Sequence, residues 1–168
     1  MIESGFSIWA LANANVTALL GQSTVDVAQK VYSAFYFSFL PTEPTLPALI
    51  LDRVTSKEAA DTLDSRTAAP SILEARFQFG CAAQDAPVGS GAGKNPLNPS
   101  GYLSAVLLSA TLREQLLGLA TGKSPLPDGT VIDDLWIIDE FDAHFEAGAM
   151  GYLYRRVLQV GVLFKETA

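Results

Sequence analysis

The sequence predicts an α+β domain, a mainly antiparallel β-sheet with helices packed on one face, a terminal β-hairpin and two long loops. Three stretches carry that expectation. Ser71 to Ala83 alternates, with Leu73, Ala75, Phe77, Phe79 and Cys81 on one face and Glu74, Arg76 and Gln78 on the other, the period of two that a half-buried strand requires. Tyr102 to Leu119 holds a wide apolar stripe at helical spacing, the pattern of a helix lying flat on a sheet. Val131 to Phe164 reads as two alternating runs about a glycine-containing turn, which is a hairpin signature. Helices and strands that come in separate runs indicate α+β rather than a parallel α/β fold.

The bulk numbers narrow the function class. The 168 residues suit one domain, 1–168, with a substantial core. A hydrophobic fraction of 49% against 17% charged is globular rather than disordered. No apolar run is read as long enough to span a bilayer, and Met1 to Phe6 has no basic region, so neither a membrane segment nor a secretory signal is expected. The single cysteine, Cys81, excludes an internal disulfide and fits a reducing compartment. A net charge of −7 disfavours phosphate-backbone binding as the main task, since that needs clustered Lys and Arg.

In chain order, Ile2, Phe6 and Trp9 recur at helical spacing, so residues 2–12 are expected to be helical. Asn13 and Asn15 are good caps, and a short second turn, Val16 to Leu20, should stop at Gly21. Val31 to Phe39 is aromatic-rich and reads as a strand with Phe35, Phe37 and Phe39 on one face, either a core strand or a buried subunit contact. Leu40 to Pro47 then places three prolines within seven residues. Each fixes φ and lacks an N–H, giving a stiff extended connector that delivers Ala48 to Thr55 into a strand. Ser56 to Pro70 is small, polar and mixed in charge. It reads as a long loop, either mobile or an arm that orders against a neighbouring subunit.

Gln84 to Gly101 is the second long loop. Its Gly89, Gly91, Gly93 and Lys94 invite a phosphate-loop reading, but Val88 and Asn95 stand where that motif needs Gly and Ser or Thr, so a flexible linker is the better account. Asn98 and Pro99 suit the cap and first position of the following helix. Along that helix Leu103, Val106, Leu107, Ala110 and Leu117 form the main stripe, with Leu108, Leu112, Leu116 and Leu119 beside it. Ser124 to Gly129 is a turn. Val131 to Glu146 is then the outgoing strand, 147–151 the loop and Tyr152 to Phe164 the return strand.

Chemistry-bearing residues gather only in the last third, where Asp133, Asp134, Asp139, Glu140, Asp142 and Glu146 surround the sole histidine, His144. A hard cation or an acid–base pair would want such ligands. A half-exposed strand gives the same alternation of charge with Phe, and Arg155 and Arg156 on the return strand are placed to pair with the carboxylates across the ladder. Neither a Ser/His/Asp nor a Cys/His arrangement is readable, and no catalytic, metal or cofactor residue is assigned.

Three stretches together resemble the tail-completion (tail-terminator) proteins of long-tailed bacteriophages. They are the opening helix with its Asn-rich break and Val16-Thr17-Ala18-Leu19-Leu20-Gly21, the proline connector ending Leu46-Pro47-Ala48 before a strand, and the return strand opening Gly151-Tyr152-Leu153-Tyr154-Arg155-Arg156. The aromatic run at 31–39 and the loops at 56–70 and 84–101 depart from the family pattern. The resemblance implies a non-enzymatic structural protein of the virion neck, assembled in the host cytoplasm. Its hexameric ring caps the head-proximal end of the tail tube, ends tube polymerisation and meets head-completion proteins. DNA passes through the lumen without specific binding, and neither a cofactor nor a membrane is involved. The candidate contact residues are Lys57, Glu58, Asp61, Asp64 and Arg66 of the 56–70 loop, and Glu140, Asp142, His144, Glu146, Arg155 and Arg156 of the terminal hairpin. Strand addition at exposed sheet edges is one route to such contacts. The last third, with eight acidic and three basic residues from Asp128 to Ala168, is a candidate lumen wall. Competing readings are another neck component (a head-closure, stopper or adaptor protein), a binding module unrelated to phage, and a metal-dependent hydrolase built on residues 139–146.

Overall fold

The computed structural model describes residues 2–21, 34–40, 44–58, 72–85, 100–122, 124–146 and 152–165. Helix α1 (Ile2–Ala12) turns at Asn13 into the single turn α2 (Ala14–Thr17). The Asn13 side chain makes that turn. Its Oδ1 accepts the N–H groups of Asn15 and Val16, and its Nδ2 donates to Gln115 Oε1 at 2.9 Å. The helical part of this segment is α2, which starts two residues before the expected Val16 to Leu20 and ends three before it. Asn13→Ala removes the cap and the link to residue 115 together, and thermal denaturation should show a loss of about 1 kcal/mol.

Strand β1 (Phe35–Phe37) is much shorter than the expected Val31 to Phe39. Ala34 and Ser38 bracket it with φ of 62° and 65°, a left-handed conformation that no strand continues through. Residues 31–33 lie outside the described residues. Only Phe35 of the aromatic row enters the core, at 3% exposure, while Phe37 is 44% and Phe39 72% exposed. Of the proline connector, Pro44 and Pro47 are described, and the Leu46–Pro47 bond is cis. Tyr36 Oη accepts the Thr45 N–H at 2.8 Å, and the Gly21 N–H donates to the Pro47 carbonyl at 2.9 Å. A Cβ at Gly21 would collide with the Leu46 carbonyl, so the end of the first helical segment is seated against the start of the sheet.

Strand β2 (Ala48–Glu58) runs further than expected, and the backbone of Lys57 and Glu58 lies in the sheet, opposite Glu74 and Leu73, rather than in a loop. It pairs antiparallel with β3 (Ile72–Gln84), which matches the predicted strand closely. Helix α3 (Gly101–Gly122) follows. Asn98 and Pro99 lie outside the described residues. The helix starts at Gly101, whose N–H is held by Asp85 Oδ1 at 2.8 Å, and Ser100 Oγ accepts the Leu103 N–H. Strand β4 (Val131–Asp142), the two-residue β5 (Phe145–Glu146) and β6 (Tyr152–Lys165) complete the chain. The sheet order is β1-β2-β3-β6-β4, with β5 also on β6. All pairs are antiparallel except β1 with β2. The expected outgoing strand to Glu146 therefore breaks at Ala143-His144, although β5 resumes on β6 in the same register.

Helices α1 and α3 share one face of the sheet. The core between them and the strands joins Ile2, Phe6 and Ala10 to Phe77, Phe79, Leu108, Leu112, Leu116 and the even-numbered residues Leu158 to Phe164. Phe6 meets Phe77 and Phe79 edge-on, at 5.3 and 5.5 Å. The Arg53–Glu3 bridge, 3.0 Å, ties α1 to β2. Cys81 is fully buried here, and burial pushes its thiol far above the usual range. Native protein should leave the thiol unreacted towards a disulfide reagent at neutral pH, and denatured protein should react at once.

Helix α3 packs in the reverse sense from the sequence expectation. Its sheet side is Ser104, Ala105, Leu108, Ser109, Leu112, Leu116 and Leu119. The stripe expected to be innermost faces outward, with Leu103, Leu107 and Leu117 between 39% and 48% exposed. The helix is apolar on both sides, and small residues on the inner one let it approach the strands closely. By length and composition alone α3 could also cross a membrane, contrary to the expectation that no run is long enough. In the fold its inner face is fully packed on β3, β4 and β6.

Candidate functional site

The β4–β6 ladder sets Asp142 opposite Arg156 and Glu140 opposite Leu158, so both carboxylates flank one guanidinium on the helix side of the sheet. Arg156 Nε donates to Glu140 Oε1 at 2.9 Å, and Arg156 Nη1 to Asp142 Oδ1 at 2.8 Å. From α3, Ser109 Oγ donates to Glu140 Oε1 at 2.9 Å, and Arg113 approaches Glu140 Oε2 at 3.8 Å. Desolvation raises the Glu140 pKa, but the hydrogen bonds from Arg156 and Ser109 and the charges of Arg156 and Arg113 outweigh it and hold the carboxyl below its ordinary value. The cluster is a polar clasp that fastens the outer strand to the long helix.

His144 sits at the break between β4 and β5. Its Nδ1 accepts the Arg155 N–H at 3.3 Å, and its ring meets Tyr154 and Tyr102 edge-on at 5.3 and 5.7 Å. Its Nε2 lies 4.0 Å from Asp142 Oδ2. Tyr154 Oη donates to Asp85 Oδ2 at 3.2 Å, the carboxylate that also holds the first N–H of α3. These contacts knit the ends of β3, α3 and the hairpin together.

Of the predicted contact residues, Glu140, Asp142, His144 and Arg156 come together. Arg155 does not join them. It lies on the opposite face of the sheet across Gly80, where a Cβ would meet its guanidinium, and its carboxylate neighbour is Asp52 at 3.6 Å. Adjacent strand residues point to opposite faces, so the two arginines could not both reach the acidic strand. Glu146 is in β5 opposite Tyr152. Lys57 and Glu58 belong to β2, while Asp61, Asp64 and Arg66 lie outside the described residues, as do 86–99.

The other acidic residues are used locally. Asp133 pairs with Lys165 at 3.0 Å. Asp134 Oδ1 accepts the Leu135 N–H and Asp139 Oδ1 the Glu140 N–H, each at 2.8 Å. The ladder slips at Asp133 and again at Ile138, two β-bulges in an edge strand. Among the described residues no group of three or more His, Cys, Asp or Glu is arranged to hold a metal ion. A cleft of about 510 Å³ lies elsewhere, between α1, α3 and the 124–127 turn, lined by Trp9, Asn13, Gln115, Leu119, Pro125 and Pro127 among others. Among the described residues of this cluster, Glu140 and Asp142 are both engaged by Arg156. These contacts tie β4 to β6 and to α3 at one end of the sheet.

The sequence reading missed Ser109 and Asp85, whose partners are 31 and 16 residues away along the chain. It also missed Trp136, whose indole lies over Gly161 on the face away from the helices. The glycine opposite an aromatic on paired strands was the available signal.

Neither a family model nor a curated protein matches the chain. Among solved structures it is similar to a chain of the "Virion of native gene transfer agent (GTA) particle", at 15% identity and a TM-score of 0.49, over 96% of this chain and 94% of that one.

Proposed function

We propose that the chain is a non-catalytic structural subunit of a phage-like virion, assembling into a hexameric ring that caps the head-proximal end of the tail tube and meets the head-completion proteins. The reading starts from the three sequence stretches that resemble tail terminators. The geometry supports their having structural work, since Gly21 seats on Leu46-Pro47, and Tyr154 and Arg156 clasp the hairpin to Asp85, Glu140 and Asp142. The observation that carries the reading furthest is that large apolar side chains are exposed on two opposite sides of one layered subunit, which suits a chain whose neighbours are other protein subunits. Glu140 and Asp142 engaged by Arg156, Asp133 by Lys165, and Asp134 and Asp139 by backbone N–H groups support a structural use of this strand.

The test is tube growth. Tail-tube protein of the same particle is polymerised with and without this chain and the lengths are measured by electron microscopy. Capping predicts arrest at amounts far below one chain per tube subunit, with extra density at one end. Unchanged lengths and bare ends would refute it and turn attention to the other neck roles.

A further inference from the structure

We propose that His144 is a proton-controlled latch: neutral, its ring completes the β4–β6 ladder across the break in the edge strand, and protonated, it releases β5 from β6. Every contact involved lies within one chain, so the latch stands whether or not a ring of subunits forms.

The register is unbroken across the gap. Asp142 lies opposite Arg156 and Phe145 opposite Leu153, which sets Ala143 opposite Arg155. Alternate antiparallel pairs exchange two backbone hydrogen bonds. Here the Ala143 N–H donates to the Arg155 carbonyl at 2.7 Å, but the Arg155 N–H goes to His144 Nδ1 at 3.3 Å. The imidazole thus stands where the ladder would use a backbone carbonyl. A carbonyl accepts at any pH, whereas a ring nitrogen accepts only while it carries no proton.

With Nδ1 accepting, the neutral ring holds its proton on Nε2, the nitrogen that faces Asp142 Oδ2 at 4.0 Å. A second proton, on Nδ1, would set two N–H groups head to head. The ring cannot turn aside without giving up its edge-on contacts with Tyr102 of α3 and Tyr154 of β6. The other ionisable groups at this end are Glu140 and Asp142 of β4, Arg156 of β6, Asp85 held by Tyr154 Oη, and Glu146 two residues further along in β5. The Arg155 guanidinium is on the opposite face, beside Asp52. Asp142 gives the imidazolium a counter-charge while its Oδ1 keeps Arg156. At 23% exposure the ring is within reach of solvent protons. Beyond the break, β5 pairs with β6 over two residues, a short stretch of the kind that opens first.

The sign follows from the bond. It exists only with the ring neutral, so it is present above the pH at which the ring titrates and is lost as the pH falls through it. Imidazole ordinarily changes charge between about pH 5 and 8. Glu140, held below its ordinary value, loses its charge only in more acid solution, so the latch opens before the Arg156 clasp does.

Amide hydrogen exchange on the whole chain tests this, with rates corrected for their intrinsic pH dependence. His144 is the sole histidine, so its titration is read from the one imidazole NMR signal. Protection of the Arg155 amide should fall about fivefold or more between about pH 8 and about pH 5, in step with that signal. The Val160 amide, where β6 is paired by both β3 and β4, should keep its protection. His144→Asn offers a carbonyl oxygen in place of Nδ1 and does not titrate, so it should hold the Arg155 amide equally at both pH values. His144→Ala should leave that amide weakly protected at both. Wild-type protection that stays level through the histidine titration would overturn the latch. Loss at Val160 in step with Arg155 would do the same, because it reports unfolding of the whole sheet. An Asn variant as pH-sensitive as the wild type would also overturn it, by placing the titrating group elsewhere.

Discussion

Phe77→Ala is expected to destabilise the chain by about 3–5 kcal/mol, enough to leave a typical domain marginally folded. Phe77 is fully buried on β3, which is paired on both sides by β2 and β6. Its ring sits edge-on to Phe6 of α1, and Phe6 in turn meets Phe79. Strands hydrogen-bonded on both sides cannot collapse into the space the ring leaves, so the cavity persists alongside the lost transfer energy. Urea titration should show a lower midpoint with an unchanged slope. Phe39→Ala, at a side chain 72% exposed, should change the stability by no more than about 0.5 kcal/mol. That contrast separates the core phenylalanines from the sequence-adjacent ones that share their pattern.

Arg156→Ala should cost about 2 kcal/mol at neutral pH, the worth of charge-assisted hydrogen bonds left without a donor. Glu140 and Asp142 would then face each other on one strand side with only the more distant Arg113 nearby. Arg156→Lys should recover only part of the loss, because one ammonium cannot reproduce the two-pronged contact. The pH dependence carries a sign. The folded-state pKa of Glu140 is lowered from 4.5, so its contribution is fully present above that value and is lost as pH falls through the lower folded-state one. The penalty of Arg156→Ala should therefore be constant from pH 7 to about 5.5 and shrink as the pH drops below about 4. A penalty that grew on acidification would contradict the clasp.

The parts of the fold legible in the sequence were those decided by a single periodicity. β3 has one wet and one dry face, and Phe77, Phe79 and Cys81 declared it. The hairpin of β4 and β6 was readable in the same way, though not its two bulges or the break at Ala143-His144. Helix α3 was legible as a helix but not in its orientation. Leucines line both of its faces, and what chose the inner one was the room that Ser104, Ala105 and Ser109 leave for the sheet. Strand β1 was overextended because three alternating phenylalanines look the same whether or not the backbone turns left-handed at Ala34 and Ser38. At the candidate site, pairing of return-strand arginines with the β4 carboxylates was legible because cross-strand neighbours follow from register, but Arg155 was expected there beside Arg156 and instead faces Asp52 on the other side of the sheet. Ser109, Asp85 and the Trp136–Gly161 contact were not, since each depends on how separate elements or paired strands come to rest against one another.

The central claim is that this subunit exists to close a ring at a tube end, and native mass spectrometry tests it most directly. The purified chain is measured alone and after incubation with tail-tube protein. The account predicts a species at the mass of six chains, present from the start or appearing only with tube ends. A chain that stays at the mass of one copy under both conditions, or forms two-fold dimers alone, would contradict it.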